Sequence, residues 1–210
     1  MDKKKLLKII LTALVTAAFL FLLFYYEQDK RKNGHALSIL ERSAIYAVVA
    51  VAMNMLTGFT GLFSLGQAGF MALGAYTVGI LTIPLEARQN IYYISGMNET
   101  LASWHMPFIP AMIIGGLVAA VSAALIGALI LKLKSDYLAI ATLGFSEVIR
   151  AIIASPQFDR ITNGSYGLKK IPRFDTIFIP VIISAICILL MVLLIRSSYG
   201  RAFKAIREDE

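Results

Sequence analysis

Long apolar runs, separated by short polar stretches, set the pattern of this chain. They cover 9–26, 36–57, 58–81, 108–131, 137–154 and 177–195. A helix rises about 1.5 Å per residue, so the charge-free run 108–131 would extend roughly 36 Å, enough to cross about 30 Å of hydrocarbon. The pattern predicts an all-α fold: a polytopic membrane helix bundle with about six transmembrane helices.

The run 58–81 organises the rest. It carries no charge, yet holds Gly58, Gly61, Gly66, Gly69, Gly74 and Gly79, with Ser64 and Gln67 among them. Each interior glycine would cost a soluble helix about 1 kcal/mol relative to alanine. In lipid the helix keeps its backbone hydrogen bonds, and small residues let a neighbouring helix approach closely. The run is therefore read as one membrane helix facing protein, entered through a tight reversal at 57–61. Ser64 and Gln67 either pack or line a polar path. In the run 108–131, Gly115, Ala119, Ala123 and Gly127 form one row at four-residue spacing, and Gly116, Ala120, Ala124 and Ala128 the adjacent row. Together they predict one flat packing face, offered to a partner permease.

Charge sets the topology. Lys3, Lys4, Lys5 and Lys8 precede the first run, which ends in Phe24-Tyr25-Tyr26 without a small-residue cleavage site. That predicts an uncleaved first span with a cytoplasmic N-terminus. The polar stretch 27–35 is read as an outer loop. Lysine-free 84–107, with Tyr92, Tyr93 and Trp104, reads as external, and Lys132, Lys134 and Asp136 as internal. The stretch 155–176 falls outside, and its Asn163-Gly164 is turn chemistry. Both 27–35 and 155–176 are net basic and run against the charge rule. The tail is amphipathic, with Tyr199, Phe203 and Ile206 opposite Arg201, Lys204, Arg207 and Glu208. It predicts a short helix on the cytoplasmic surface.

Composition narrows the class. The chain is 58% hydrophobic and 16% charged, against about 25% charged in soluble domains. Its net charge of +7 is interleaved between apolar runs, which fits membrane orientation and excludes a nucleic-acid face. Cys187, His35 and His105 offer neither a disulfide nor a zinc spacing. Phosphate-binding loop, nucleophile elbow and metalloprotease motif are all missing, so catalysis by this chain is not expected. Glu147 and Arg150 do interrupt an apolar run. An ionisable residue near a membrane helix centre costs about 2.5–3.5 kcal/mol, and these two can pair three residues apart. The pair either fixes helix register or marks a pathway.

The stretch from Asn54 to Tyr76 (NMLTGFTGLFSLGQAGFMALGAY) resembles the signature of branched-chain amino acid ABC transporter permeases. The resemblance continues at Asp136 to Arg150 (DYLAIATLGFSEVIR), Thr162 to Leu168 (TNGSYGL) and Gly200 to Glu210 (GRAFKAIREDE), four motifs in the expected order. The tail is most similar to the LivM-type subunit rather than its LivH-type partner. The resemblance implies an importer-type permease in the bacterial cell membrane, working with a second permease subunit, an extracytoplasmic substrate-binding protein and two cytoplasmic ATPase subunits. ATP would be used by those partners, leaving no cofactor in this chain. Residues 1–195 would be an incomplete permease domain. Residues 196–210 would begin the cytoplasmic coupling segment, with Gly200, Arg201, Ala202, Phe203 and Ile206 leading toward the ATPase. The chain would then be truncated before the later spans.

A branched-chain amino acid is a zwitterion with an apolar side chain, so small residues with a few neutral polar groups suit its path. Asn54, Ser64, Gln67, Tyr76, Thr77, Thr142 and Ser146 are the candidates. A urea or short-chain amide permease of the same family is an alternative. So is an ion-coupled secondary transporter, for which Glu147 is the one suitable carboxylate.

Overall fold

The computed structural model describes residues 3–93, 96–130, 132–133 and 135–208. The side chains of Lys3, Lys4, Lys5, Lys8 and Asp136, and all of Leu131, Lys134, Asp209 and Glu210, lie outside the described residues.

Polar stretches between the runs do not all become loops. α1 (Lys3–Gln28) gives way to α2 (Lys30–Asn54) through Asp29 alone, whose carbonyl accepts from the amides of Lys32 and Asn33. The expected outer loop 27–35 is thus mostly helix. Lysine and arginine are good helix formers, and polarity by itself does not end a helix. The remaining helices are α3 (Gln67–Thr82), α4 (Leu85–Ile91), α5 (Glu99–Ala102), α6 (Phe108–Ile130), α7 (Ser135–Ala154), α8 (Asp159–Thr162), α9 (Phe178–Arg196) and α10 (Ser198–Glu208). Among the described residues there is no strand.

Among the described residues, four segments are long and apolar enough to cross a membrane: Lys32–Phe59, Phe108–Ile130, Tyr137–Ala154 and Phe178–Arg196. α3 and α4, bent by 118°, make a fifth if counted as one broken span. Large apolar side chains stay uncovered along these helices, as at Leu117, Val121, Leu125 and Leu129 on α6 and Ile182, Ile186, Leu189 and Leu193 on α9. Water would not tolerate so much contiguous apolar surface, whereas lipid does. The chain is an all-α, multi-pass membrane protein.

It divides into two compact units. The first comprises Met1–Ala52 and Phe174–Arg201. Its buried centre is Leu23, Leu37 and Ile177, packed by Tyr26, Leu40, Phe178 and Val181. Pro180 sits in the first turn of α9, where its missing N–H costs no hydrogen bond.

The second unit comprises Met53–Arg173 and Ala202–Glu210. Here the run 58–81 departs from the single helix expected of it. α2 runs on as a π turn, Met55–Phe59, the backbone is non-helical from Gly61 to Leu65, and α3 starts only at Gln67. Gly61 has φ +76°, a conformation that side chains disfavour. At 16 residues, α3 is about 24 Å long, short of a full crossing. Unwound backbone survives at membrane depth only where protein satisfies it. Thr142 Oγ1 accepts from the Leu65 amide at 2.9 Å, and Ser146 Oγ donates to the Leu65 carbonyl at 3.2 Å.

α6 packs antiparallel on α3. A Cβ built on Gly115 would come within 2.6 Å of Val78 Cγ2 and 2.9 Å of the Gly74 carbonyl. The row Gly115, Ala119, Ala123, Gly127 is turned inward, but Gly116, Ala120, Ala124 and Ala128 are all exposed. The expected two-row face is therefore one row wide, and it meets a helix of its own chain. Adjacent rows lie about 100° apart around a helix, so a single short partner covers one of them.

Two loops meet at the far end of α3. The Asn98 amide bonds to the Arg160 carbonyl, and Tyr92 OH donates to the Ile161 carbonyl at 2.7 Å. Segments 84–107 and 155–173 thus share one end of this unit. At the opposite end, Arg207 reaches the Gly58 carbonyl.

Candidate functional site

The seam between α3 and α7 gathers most of the polar candidates. Glycines make the approach possible: a Cβ on Gly69 would lie 3.0 Å from Ser146 Cα, and one on Gly66 would lie 3.3 Å from Thr142 Cβ. Phe70 and Phe145 close the seam beside them, with ring centroids 5.2 Å apart.

A cavity opens on each side of this contact. Toward the 84–107 and 155–176 loops lies a groove of about 380 Å³ whose lining includes Tyr76, Ser146, Glu147, Arg150 and Ser165. That is a size suited to a small molecule. Toward the Arg207 end lies a cavity of about 230 Å³, lined by Leu56, Ser64, Phe70, Ala123, Ile126 and Thr142 among others. Gly69 and Ser146 face the groove, while Thr142 and Phe70 face the cavity. The seam is the partition.

In the groove, Arg150 Nε donates to Glu147 Oε2 at 2.8 Å. The pair is exposed, its side chains 72% and 58% accessible. Loop 155–167 builds the groove's end by capping α7, whose last carbonyls need partners from outside the helix. Thr162 Oγ1 donates to Ile153 O and Ser165 Oγ to Ala154 O. Asn163 and Gly164 have φ +60° and +49°, the left-handed turn that their residue types favour. A Cβ on Gly164 would also overlap Asp159 Oδ1.

Two of the seven pathway candidates stand apart. Asn54 is exposed, and the Thr77 hydroxyl donates to Leu73 O within its own helix. Ser64 is buried, its Oγ accepting from the Gly66 amide. Gln67, at the first turn of α3, has a buried Oε1 with no hydrogen-bond partner.

On α10, Gly200 is buried against the Ile195 carbonyl, leaving no room for a Cβ. Arg201 bonds Ser198 Oγ, Phe203 is half-buried, and Ala202 and Ile206 are exposed. Lys204 lies 5.8 Å from the Phe59 ring centroid and Arg207 Nη1 3.0 Å from Gly58 O. Sequence reasoning assigned these two cations only to a solvated face.

It also missed Arg88. This buried side chain donates all five N–H groups to the carbonyls of Ile80, Ile83, Leu101, Ala102 and Trp104. With its donor capacity used, Arg88 ties the end of α3 to α5 and holds no ligand. The signal available was a lone base in an otherwise base-free external loop. Beside it, burial pushes the Tyr92 phenol up to about 12. Among the described residues, no group of three His, Cys, Asp or Glu is placed to hold a metal ion.

Residues 35–210 match the family described as "Branched-chain amino acid transport system / permease component". The chain is similar to the "High-affinity branched-chain amino acid transport system permease protein LivM" of Escherichia coli (strain K12), with 31% identity over 200 residues, covering 79% of this chain and 42% of that protein. The Salmonella typhimurium protein of the same description is 30% identical over 209 residues, covering 83% and 44%. A "Probable branched-chain amino acid transport permease protein LivM" of Methanocaldococcus jannaschii is 27% identical over 190 residues, covering 79% and 54%. The chain thus spans about half the length of the curated relatives it matches. No solved structure matches.

Proposed function

Because this chain belongs to the branched-chain amino acid transport system permease family, we propose that it is part of a membrane permease subunit that carries leucine, isoleucine or valine into the cytoplasm. The observation that carries the reading is the α3–α7 seam, with a groove that holds Glu147, Arg150 and hydroxyl groups among apolar residues on one side and an apolar cavity on the other. Charged ends of the substrate suit the groove, and a branched hydrocarbon side chain suits the cavity. Parting and closing of the glycine contacts at Gly66 and Gly69 would pass substrate between them. Helices broken at membrane depth are a common place for such sites.

The chain would contribute the passage, and ATP hydrolysis would belong to cytoplasmic partner subunits. The N-terminus and α10 would face the cytoplasm in a bacterial cell membrane. Segments 84–107 and 155–176 would face the extracytoplasmic binding protein, with a second permease subunit alongside. Glu147 and Arg150 neutralise each other, which disfavours an ion-coupled carrier that needs an unpaired carboxylate. Uptake of labelled leucine by vesicles containing the assembled transporter, with and without ATP and with urea as competitor, tests the reading. ATP-dependent uptake blocked by isoleucine but not urea is expected. Uptake driven by an ion gradient without ATP, or blocked by urea, would overturn it.

A further inference from the structure

Glu147 and Arg150 lie on a helix of membrane-spanning length, yet their side chains are open to the groove. The pair is joined by one hydrogen bond, from Nε to Oε2. Among the described residues, the four N–H bonds of the Arg150 Nη groups and the second oxygen of Glu147 have no partner. A pair that served only to neutralise itself in a low-dielectric site would gain from the bidentate geometry open to arginine and carboxylate. Here both residues line a space of about 380 Å³. Arg150 is four residues from the end of α7, about 6 Å, so the groove meets the membrane interface. Tyr76 and Ser165 add hydroxyls to its wall, while Ala68, Ala72 and Ile153 supply apolar contact.

We propose that Glu147 and Arg150 form a recognition site for the paired charges of a free α-amino acid, Glu147 taking the α-ammonium and Arg150 the α-carboxylate. The inference rests on the transport reading above and names the groups that recognise the substrate. The charges balance at every stage. The empty site is neutral through its internal pair, the zwitterion is neutral, and each protein charge gains an opposite partner as the substrate enters. No ion needs to accompany it. A molecule with one charge would leave either Glu147 or Arg150 without an opposite partner, and this loss gives selectivity. Urea lacks both charges and gains nothing from the pair.

The test uses the assembled transporter in proteoliposomes. Leucine uptake is measured with isoamylamine, which lacks the carboxylate, and 4-methylpentanoate, which lacks the ammonium, as competitors. Wild type should discriminate against both. Glu147→Gln should raise the leucine KM roughly ten- to a hundredfold, the loss expected for one charged hydrogen bond, and improve competition by 4-methylpentanoate. Arg150→Gln should raise KM similarly and improve competition by isoamylamine. Glu147→Asp, which keeps the charge, should recover most of the affinity. Leucine uptake that falls only in proportion to the amount of assembled protein, with unchanged competitor ranking, would overturn the inference and leave the transport reading standing. A wild-type protein that carries urea and no amino acid would overturn both.

Discussion

The Arg207 guanidinium donates to the Gly58 carbonyl at 3.0 Å, joining positions 149 residues apart. Gly58 lies in the π turn before the broken start of α3, and the Arg207 side chain also packs 3.3 Å from where a Gly61 Cβ would be. Lys204 sits over Phe59 in the same place. A force that shifts α10 therefore acts directly on the unwound segment carrying Ser64.

Breaking that linkage should separate ATP use from transport. Arg207→Gln should lower ATP-dependent uptake about tenfold while leaving leucine binding and membrane level near wild type. ATP hydrolysis that persists without uptake would be its signature. Joint loss of assembly and uptake would assign Arg207 a purely structural role.

Gly115 and Gly116 are neighbours with opposite expectations. Gly115→Ala drives a Cβ into Val78 and the Gly74 carbonyl, and should destabilise the protein by about 1–3 kcal/mol. Gly116→Ala meets nothing within 4 Å, and should be neutral or stabilising by up to about 1 kcal/mol through helix propensity. Thermal unfolding in detergent compares the two.

The seam gives a third contrast. A Cβ on Gly69 would press on Ser146 Cα, which is backbone and cannot rotate away. Gly69→Ala should hold α3 and α7 apart and slow uptake several-fold, with leucine KM changed less than the maximal rate. Gly144, a glycine of α7 with open space around it, should accept alanine without effect on either.

Tyr92 gives the loop junction a pH dependence. Its phenol, pushed up to about 12 by burial, ordinarily ionises near 10. A raised pKa means the neutral form is favoured by the fold. Its contribution is complete below about pH 10 and is lost as pH climbs toward 12. Hydrogen exchange in segments 84–107 and 155–176 should rise over that window. Tyr92→Phe removes the bond to Ile161 O, should cost about 1 kcal/mol, and should flatten the pH response.

Arg88 serves the same region from within. Arg88→Leu removes the guanidinium bonds to five carbonyls and should cost about 3 kcal/mol or more. Exchange should rise in α4 and α5 first. Unchanged protection there would refute the staple.

Much of the fold was readable because lipid imposes simple rules on a chain. Hydrocarbon thickness sets run length, so α6, α7 and α9 begin and end within about two residues of the apolar runs 108–131, 137–154 and 177–195. Small residues mark close approach, and Gly115 indeed lies against Gly74. The four motifs placed the chain in its family. Tertiary structure decided what depends on partners far away in sequence. The break at Gly61–Leu65 is permitted because Thr142 accepts from the Leu65 amide and Ser146 donates to its carbonyl, and nothing local in 58–81 announces those partners. Whether Arg88 meets solvent or five carbonyls, and which small-residue row is covered, likewise follow from where other helices lie. Sequence sets which segments leave water for lipid, since that is a sum over local transfer energies. Which polar groups then find each other is a matter of geometry, and only the folded chain brings Glu147, Arg150 and Tyr76 to one groove.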